Sequence, residues 1–124
     1  MKILFATGGT AGHINPALAV ASYIRENYPD SEILFVGTAD HMESRLVPNA
    51  GFDFKTIKIS GFRRSFAPKA IVHNIKTVCQ LVTSNSACKK IIKDFKPDVA
   101  VGFGGYVSGP VLQTAVSMHI PTCI

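Results

Sequence analysis

Two short apolar runs in this chain stop in glycine and then resume at helical spacing: FATGGTAGHINPALAVA at residues 5–21 and VAVGFGGYVSGPVLQTAV at residues 99–116. A run of four or five apolar residues is too short to make a helix and suits a strand buried on both faces of a parallel sheet. Glycine then allows the sharp turn by which such a strand passes into a helix. Strand, glycine turn, helix and strand, repeated, is the pattern of an α/β domain with a doubly wound, Rossmann-like parallel sheet. In that architecture ligands lie beyond the carboxyl ends of the strands, where both glycine loops emerge.

The remaining segments fit the pattern. Lys2 to Ala6 reads as the first strand, and a helix with Asn15 as its cap and Pro16 in its first turn carries Leu18, Ala21, Ile24 and Tyr28 on its apolar side, with Tyr23 flanking. Ile33 to Val36 is a second strand ending at Gly37, followed by a short helix from Met42 to Val47 that breaks at Pro48. Phe54 to Ile59 alternates apolar and basic residues, as an edge or half-exposed strand does. Gly61 to Pro68 is a loop, and Lys69 to about Phe95 is helical, with a weak centre at Thr83 to Ser86. Val99 to Phe103, a helix from about Pro110 to Ser117, and a strand from Pro121 to Ile124 complete the reading.

Composition excludes some classes of function and leaves others open. A content of 47% hydrophobic and 17% charged residues is globular rather than disordered. The net charge of +5 accommodates phosphate-bearing ligands, nucleic acid or an anionic membrane surface without choosing among them. Cys79, Cys88 and Cys123 lack CxxC or metal-ligand spacing, so they are expected to be buried reduced thiols of a cytosolic protein. The N-terminal apolar run is too short for a signal peptide, and no stretch approaches the roughly 18 apolar residues of a membrane span. A soluble or peripheral protein made in the cytosol is expected.

Each loop carries two readings. Gly8, Gly9 and Gly12 permit a tight turn or a close approach to a ligand, and the following helix directs its free N–H groups towards them. The sequence GGTAGH is neither the GxGxxG dinucleotide fingerprint nor a P-loop, and nothing in the chain requires a cofactor or metal. His13 is expected just before the helix, either as a proton acceptor facing the crevice or as a cap of the turn; imidazole as a class ionises near pH 6.5. His41, His73 and His119 have no partner at ligand spacing and read as surface or packing residues. In the second loop Gly104 and Gly105 again admit close backbone approach, and Ser108 either bonds an anion or caps the next helix. Two such loops at matching sheet ends suit a pyrophosphate or a sugar. Between them, Phe62 and Phe66 lie among Arg63, Arg64 and Lys69, a mixture suited to anionic lipid. It equally suits nucleic-acid stacking, but no ribonucleoprotein or helix-turn-helix signature supports that partner.

GGTAGHINPALAVA, SGFRR and FKPDVAVGFGGYVSGP, in this order and spacing, resemble the MurG family of glycosyltransferase family 28 over the whole chain. The resemblance implies a GT-B fold, with residues 1–124 forming most of its N-terminal, acceptor-binding domain. It implies inverting transfer of N-acetylglucosamine from UDP-GlcNAc to lipid I, making lipid II for peptidoglycan. By motif, it makes His13 the general base, puts Thr10, Ala11 and Gly12 at the donor, and puts Gly9, Gly104, Gly105, Tyr106 and Ser108 at the acceptor pyrophosphate. Ala11 departs from the family's usual GGTGGH. The segment holding Phe62, Arg63, Arg64, Phe66 and Lys69 matches where the family docks on the anionic cytoplasmic leaflet, implying a peripheral membrane location.

The chain stops inside its last strand, without the C-terminal donor domain of such enzymes, so it is expected to be inactive alone. A truncated transferase, the membrane-facing subunit of a split lipid-linked transferase, and a binding module for a lipid pyrophosphate or nucleotide all fit a piece of this kind.

Overall fold

The computed structural model describes residues 1–8, 11–39, 42–57, 86–104 and 107–124. Among them, β1 (Lys2–Ala6), β2 (Glu32–Gly37), β3 (Asp53–Thr56), β4 (Val99–Gly102) and β5 (Thr122–Cys123) form one sheet in the order β3-β2-β1-β4-β5. Every pairing is parallel, with Phe5 opposite both Phe35 and Val101. The helices are α1 (Ala11–Asn27), α2 (Glu43–Asn49), α3 (86–95) and α4 (Ser108–Ser117). The chain runs outward from β1 to β3, then crosses back to add β4 and β5 on the other side, so the order reverses between β1 and β4.

Two cores sandwich the sheet. Leu4, Ala6, Leu34, Val36 and Ala100 pack against Cys88 and Ile92 of α3 and Val111 and Ala115 of α4. Ile3, Phe5 and Phe35 pack on the opposite face against Ile14, Ala17 and Ala21 of α1 and Val47 of α2. Because both faces are covered, β1 is apolar from Ile3 to Ala6 instead of alternating. Phe5 and Phe35 stack at 5.0 Å, Phe103 adds a ring 5.7 Å from Phe5, and Phe52 closes on Phe35 at 5.4 Å. Each aromatic pair contributes about 0.5–1.5 kcal/mol beyond its burial. The Arg25 guanidinium lies 4.3 Å over Phe52 and donates to the Ala50 carbonyl at 3.2 Å, tying the end of α1 to that of α2.

Several boundaries depart from expectation. Helix α1 begins at Ala11, so Gly12 and His13 belong to its first turn and Pro16 lies inside the helix. The amide that Pro16 lacks would have gone to the Gly12 carbonyl, so the loss falls in the first turn and leaves the rest of the helix intact. Tyr23 and Tyr28 are exposed, and Ile14 and Ala17 join Ala21 as the buried residues of α1. Helix α2 runs through Pro48 to Asn49, since proline keeps its carbonyl and accepts the Gly51 N–H at 3.0 Å. Cys88 is buried as expected, but Cys123 is exposed on the edge strand β5. The edge position expected of Phe54 to Ile59 is found in β3, with Phe54 half-buried and Ile57 buried. The loop at 61–68 and the helix before Ser86 lie outside the described residues. No described helix is long and apolar enough to cross a membrane.

Candidate functional site at the β1–β4 switch point

The strand order reverses between β1 and β4, and both strands end at the same rim of the sheet. Helices α1 and α4 start at that rim, so their unpaired N–H groups and positive dipole ends border the crevice. The crevice is closed below by Ala6, whose carbonyl accepts the Phe103 N–H at 2.9 Å.

His13, half-buried in the first turn of α1, reaches across this gap. Its Nδ1 lies 3.3 Å from the Gly8 carbonyl oxygen. A carbonyl can only accept, so this bond puts the proton of the neutral ring on Nδ1 and leaves a lone pair on Nε2. The Nε2 edge faces Gly104. A β-carbon built on Gly104 would lie 2.9 Å from His13 Cδ2 and 3.0 Å from Nε2, and Gly104 has φ +102°. Glycine is therefore required here twice, for backbone conformation and for room.

Ser108 secures the second loop from below. The Gly104 N–H donates to its Oγ at 2.9 Å, and the hydroxyl proton has the Gly104 carbonyl at 2.8 Å and the Ala6 carbonyl at 3.0 Å within reach. Ser108 is buried, and Val107 occupies the cap position of α4 without a side-chain cap bond. The serine thus does not cap the helix: it latches the loop after β4 onto the end of β1.

The first loop has a support that sequence reasoning missed. Glu43, at the start of α2, is fully buried, and its Oε1 accepts the Thr38 N–H at 2.9 Å and the Thr38 hydroxyl at 2.7 Å. A β-carbon on Gly8 would lie 2.6 Å from that same oxygen. The available signal was positional, an acid opening a helix just beyond a parallel strand. Thr7, just past β1, is also fully buried, with no partner for its hydroxyl among the described residues.

The structure thus brings together His13, Gly8, Gly104 and Ser108, with half-buried Ala11 and exposed Gly12 beside them in α1. Gly9, Thr10, Gly105, Tyr106, Phe62, Arg63, Arg64, Phe66, Lys69, His41 and His73 lie outside the described residues. His119 is exposed, away from the crevice. Two clefts among the described residues lie elsewhere. One of about 440 Å³ is bordered by Lys2, Arg25 and Glu32, and one of about 700 Å³ by Phe54, Lys90 and Phe95; neither includes His13.

Residues 3–124 match the model of the glycosyltransferase family 28 N-terminal domain. The chain is 50% identical over its whole length to the UDP-N-acetylglucosamine--N-acetylmuramyl-(pentapeptide) pyrophosphoryl-undecaprenol N-acetylglucosamine transferase of Lactococcus lactis subsp. cremoris, covering 34% of that protein. It is 51% identical to the transferase of the same name from Leuconostoc mesenteroides, covering 33% of it. The chain therefore spans about a third of the length of the curated relatives it matches. The crystal structure of Acinetobacter baumannii MurG superposes with a TM-score of 0.79 at 27% identity, over 98% of this chain and 34% of that one. The Streptomyces glycosyltransferase SsfS6 shares the fold, with a TM-score of 0.66 at 16% identity. The sheet order, the two glycine loops and the family match lead to one assignment: the chain belongs to the glycosyltransferase family 28 N-terminal domain family.

Proposed function

We propose that this chain is the acceptor-binding, N-terminal part of an inverting N-acetylglucosaminyltransferase that moves GlcNAc from UDP-GlcNAc to lipid I and so forms lipid II. The observation that carries the reading is the seat of His13, with Nδ1 tied to the Gly8 carbonyl and the ring against Gly104. The half-identity to transferases bearing that name supports the choice of substrates.

In this reading Nε2 removes the proton from the muramoyl C4 hydroxyl as its oxygen attacks the anomeric carbon of the donor. The bond from that carbon to the UDP oxygen breaks, UDP leaves with the electron pair, and the configuration inverts. Ala11 and Gly12, with Thr10, border the donor at the N-terminus of α1, where backbone N–H groups favour an anion. Gly9, Gly104, Gly105 and Tyr106 line the acceptor pyrophosphate, and Ser108 holds that loop from beneath. The basic aromatic segment at Phe62, Arg63, Arg64, Phe66 and Lys69 contacts the anionic cytoplasmic leaflet, making the protein peripheral. A C-terminal donor domain, in the same chain or a partner subunit, completes the nucleotide-sugar site.

The test is transfer of labelled GlcNAc to a lipid I analogue, using the gene extended to its natural stop codon. His13→Ala is expected to lose about 10²–10⁴-fold in kcat, the usual worth of a general base. Full activity in that variant would remove His13 from the chemistry. No transfer by the unaltered enzyme would remove the substrate assignment and leave a split subunit or a binding module.

A further inference from the structure

We propose that Glu43 is a positioning residue for His13, acting through the backbone at Gly8; this inference rests on the reading of His13 as the base. Glu43 stands where the carboxyl ends of β1 and β2 meet, and its side chain is fully buried. Burying a carboxyl group is costly, and an apolar side chain would fill the space under the rim without that cost. Among the described residues, Thr38 at the end of β2 donates to the group twice, once from its N–H and once from its hydroxyl.

The strand ends are shaped around this one side chain. A β-carbon on Gly37 would collide with Glu43 Cγ, and one on Gly8 would lie 2.6 Å from Glu43 Oε1. The carboxylate therefore rests against the Gly8 backbone and fixes its height relative to β2. Gly8 is also the residue whose carbonyl oxygen faces His13 Nδ1 at 3.3 Å. A single residue thus receives the carboxylate on one side and the imidazole on the other. From there the ring meets Gly104, which Ser108 latches to Ala6. The line Thr38, Glu43, Gly8, His13, Gly104, Ser108 joins the ends of β2, β1 and β4, and Glu43 is the member that ties the base to β2. Without the carboxylate, Gly8 settles into the vacated space and its carbonyl moves off Nδ1. The ring then loses both its aim and its fixed tautomer.

The experiment uses the protein extended to its natural stop codon, assayed for GlcNAc transfer from UDP-GlcNAc to a lipid I analogue. Glu43→Ala is expected to lower kcat by on the order of 10- to 100-fold, the scale of a small misplacement of a catalytic group. KM for both substrates should stay within about threefold, because no ligand contact is removed. Glu43→Gln keeps an oxygen for Thr38 and should recover kcat to within about threefold of the parent. The double variant Glu43→Ala/His13→Ala should be no slower than His13→Ala alone, since Glu43 acts only through the ring. In protein labelled with ¹⁵N-histidine, the His13 resonances should report a proton on Nδ1 in the parent and a mixture of tautomers in Glu43→Ala.

Should Glu43→Ala not fold, Glu43→Asp draws the carboxylate back from Gly8 by one methylene and is expected to show the same losses. Costs that add in the double variant, an unchanged kcat, or a defect confined to KM would overturn the positioning role while leaving His13 as the base. A fully active His13→Ala would overturn both.

Discussion

A β-carbon at position 104 would meet the His13 ring at 2.9 Å on a backbone with φ +102°. Both penalties fall on the atoms that aim the imidazole. Gly104→Ala is therefore expected to cost about 1–2 kcal/mol in backbone strain. It should also lower transfer by roughly 10²-fold as the ring is displaced. Thermal melting and the transfer assay measure the two effects separately; full activity with a lowered melting point would show that the ring can move without consequence. At this scale the sequence was informative wherever residue type carries the chemistry. Glycine announces close approach, and histidine announces a proton acceptor. Glu43 gave no such sign, because an acid opening a helix usually faces solvent, and only its place under Gly8 and beside Thr38 sets it apart.

Helix α4 ends in a reciprocal pair of backbone bonds, Ile120 N–H to the Ala115 carbonyl at 2.9 Å and His119 N–H to the Val116 carbonyl at 3.0 Å. His119 must take φ +60° to make that closure, a conformation that glycine adopts freely and histidine adopts at a cost. Its ring is exposed, so little is lost with it. His119→Gly is expected to stabilise the fold by about 0.5–1 kcal/mol. A higher melting temperature by differential scanning calorimetry would bear this out, and an unchanged or lower one would show that the strain is relieved elsewhere. Element type was legible from apolar periodicity, whereas element ends were not. Pro16 and Pro48 each read as a boundary, yet both lie within helices, because the hydrogen bond each forgoes falls near a helix end. The fate of one backbone bond depends on its neighbours in space, which local spacing does not report.

Across the whole molecule, burial decides the chemistry of Cys88. Its place between the sheet and α3 pushes the thiol from an ordinary 9.0 up to about 11, because the apolar surroundings disfavour the thiolate. The folded state therefore holds its proton over a range in which the unfolded chain has released it. Stability from this group is complete below about pH 9, is lost as pH rises from 9 towards 11, and changes no further above that. Urea denaturation from pH 8 to 11 should show a shallower alkaline decline in Cys88→Ala than in the parent; identical slopes would refute the burial effect. The parallel α/β class followed from the sequence alone, because a run apolar on every residue between glycine turns can only be covered on both faces. Beyond the edge place expected of Phe54 to Ile59, the order β3-β2-β1-β4-β5 did not, since the apolar strands offer similar faces to one another and pairing is settled by backbone bonds between distant segments. That order is what sets His13 beside Gly104, 91 residues further along the chain. The sequence by itself determined the layers, the glycine loops and the residue types at the crevice. Tertiary structure alone decided which strand ends meet, that Ser108 turns inward as a latch, and that a buried carboxylate supports the first loop, because each depends on long-range contacts that no local pattern encodes.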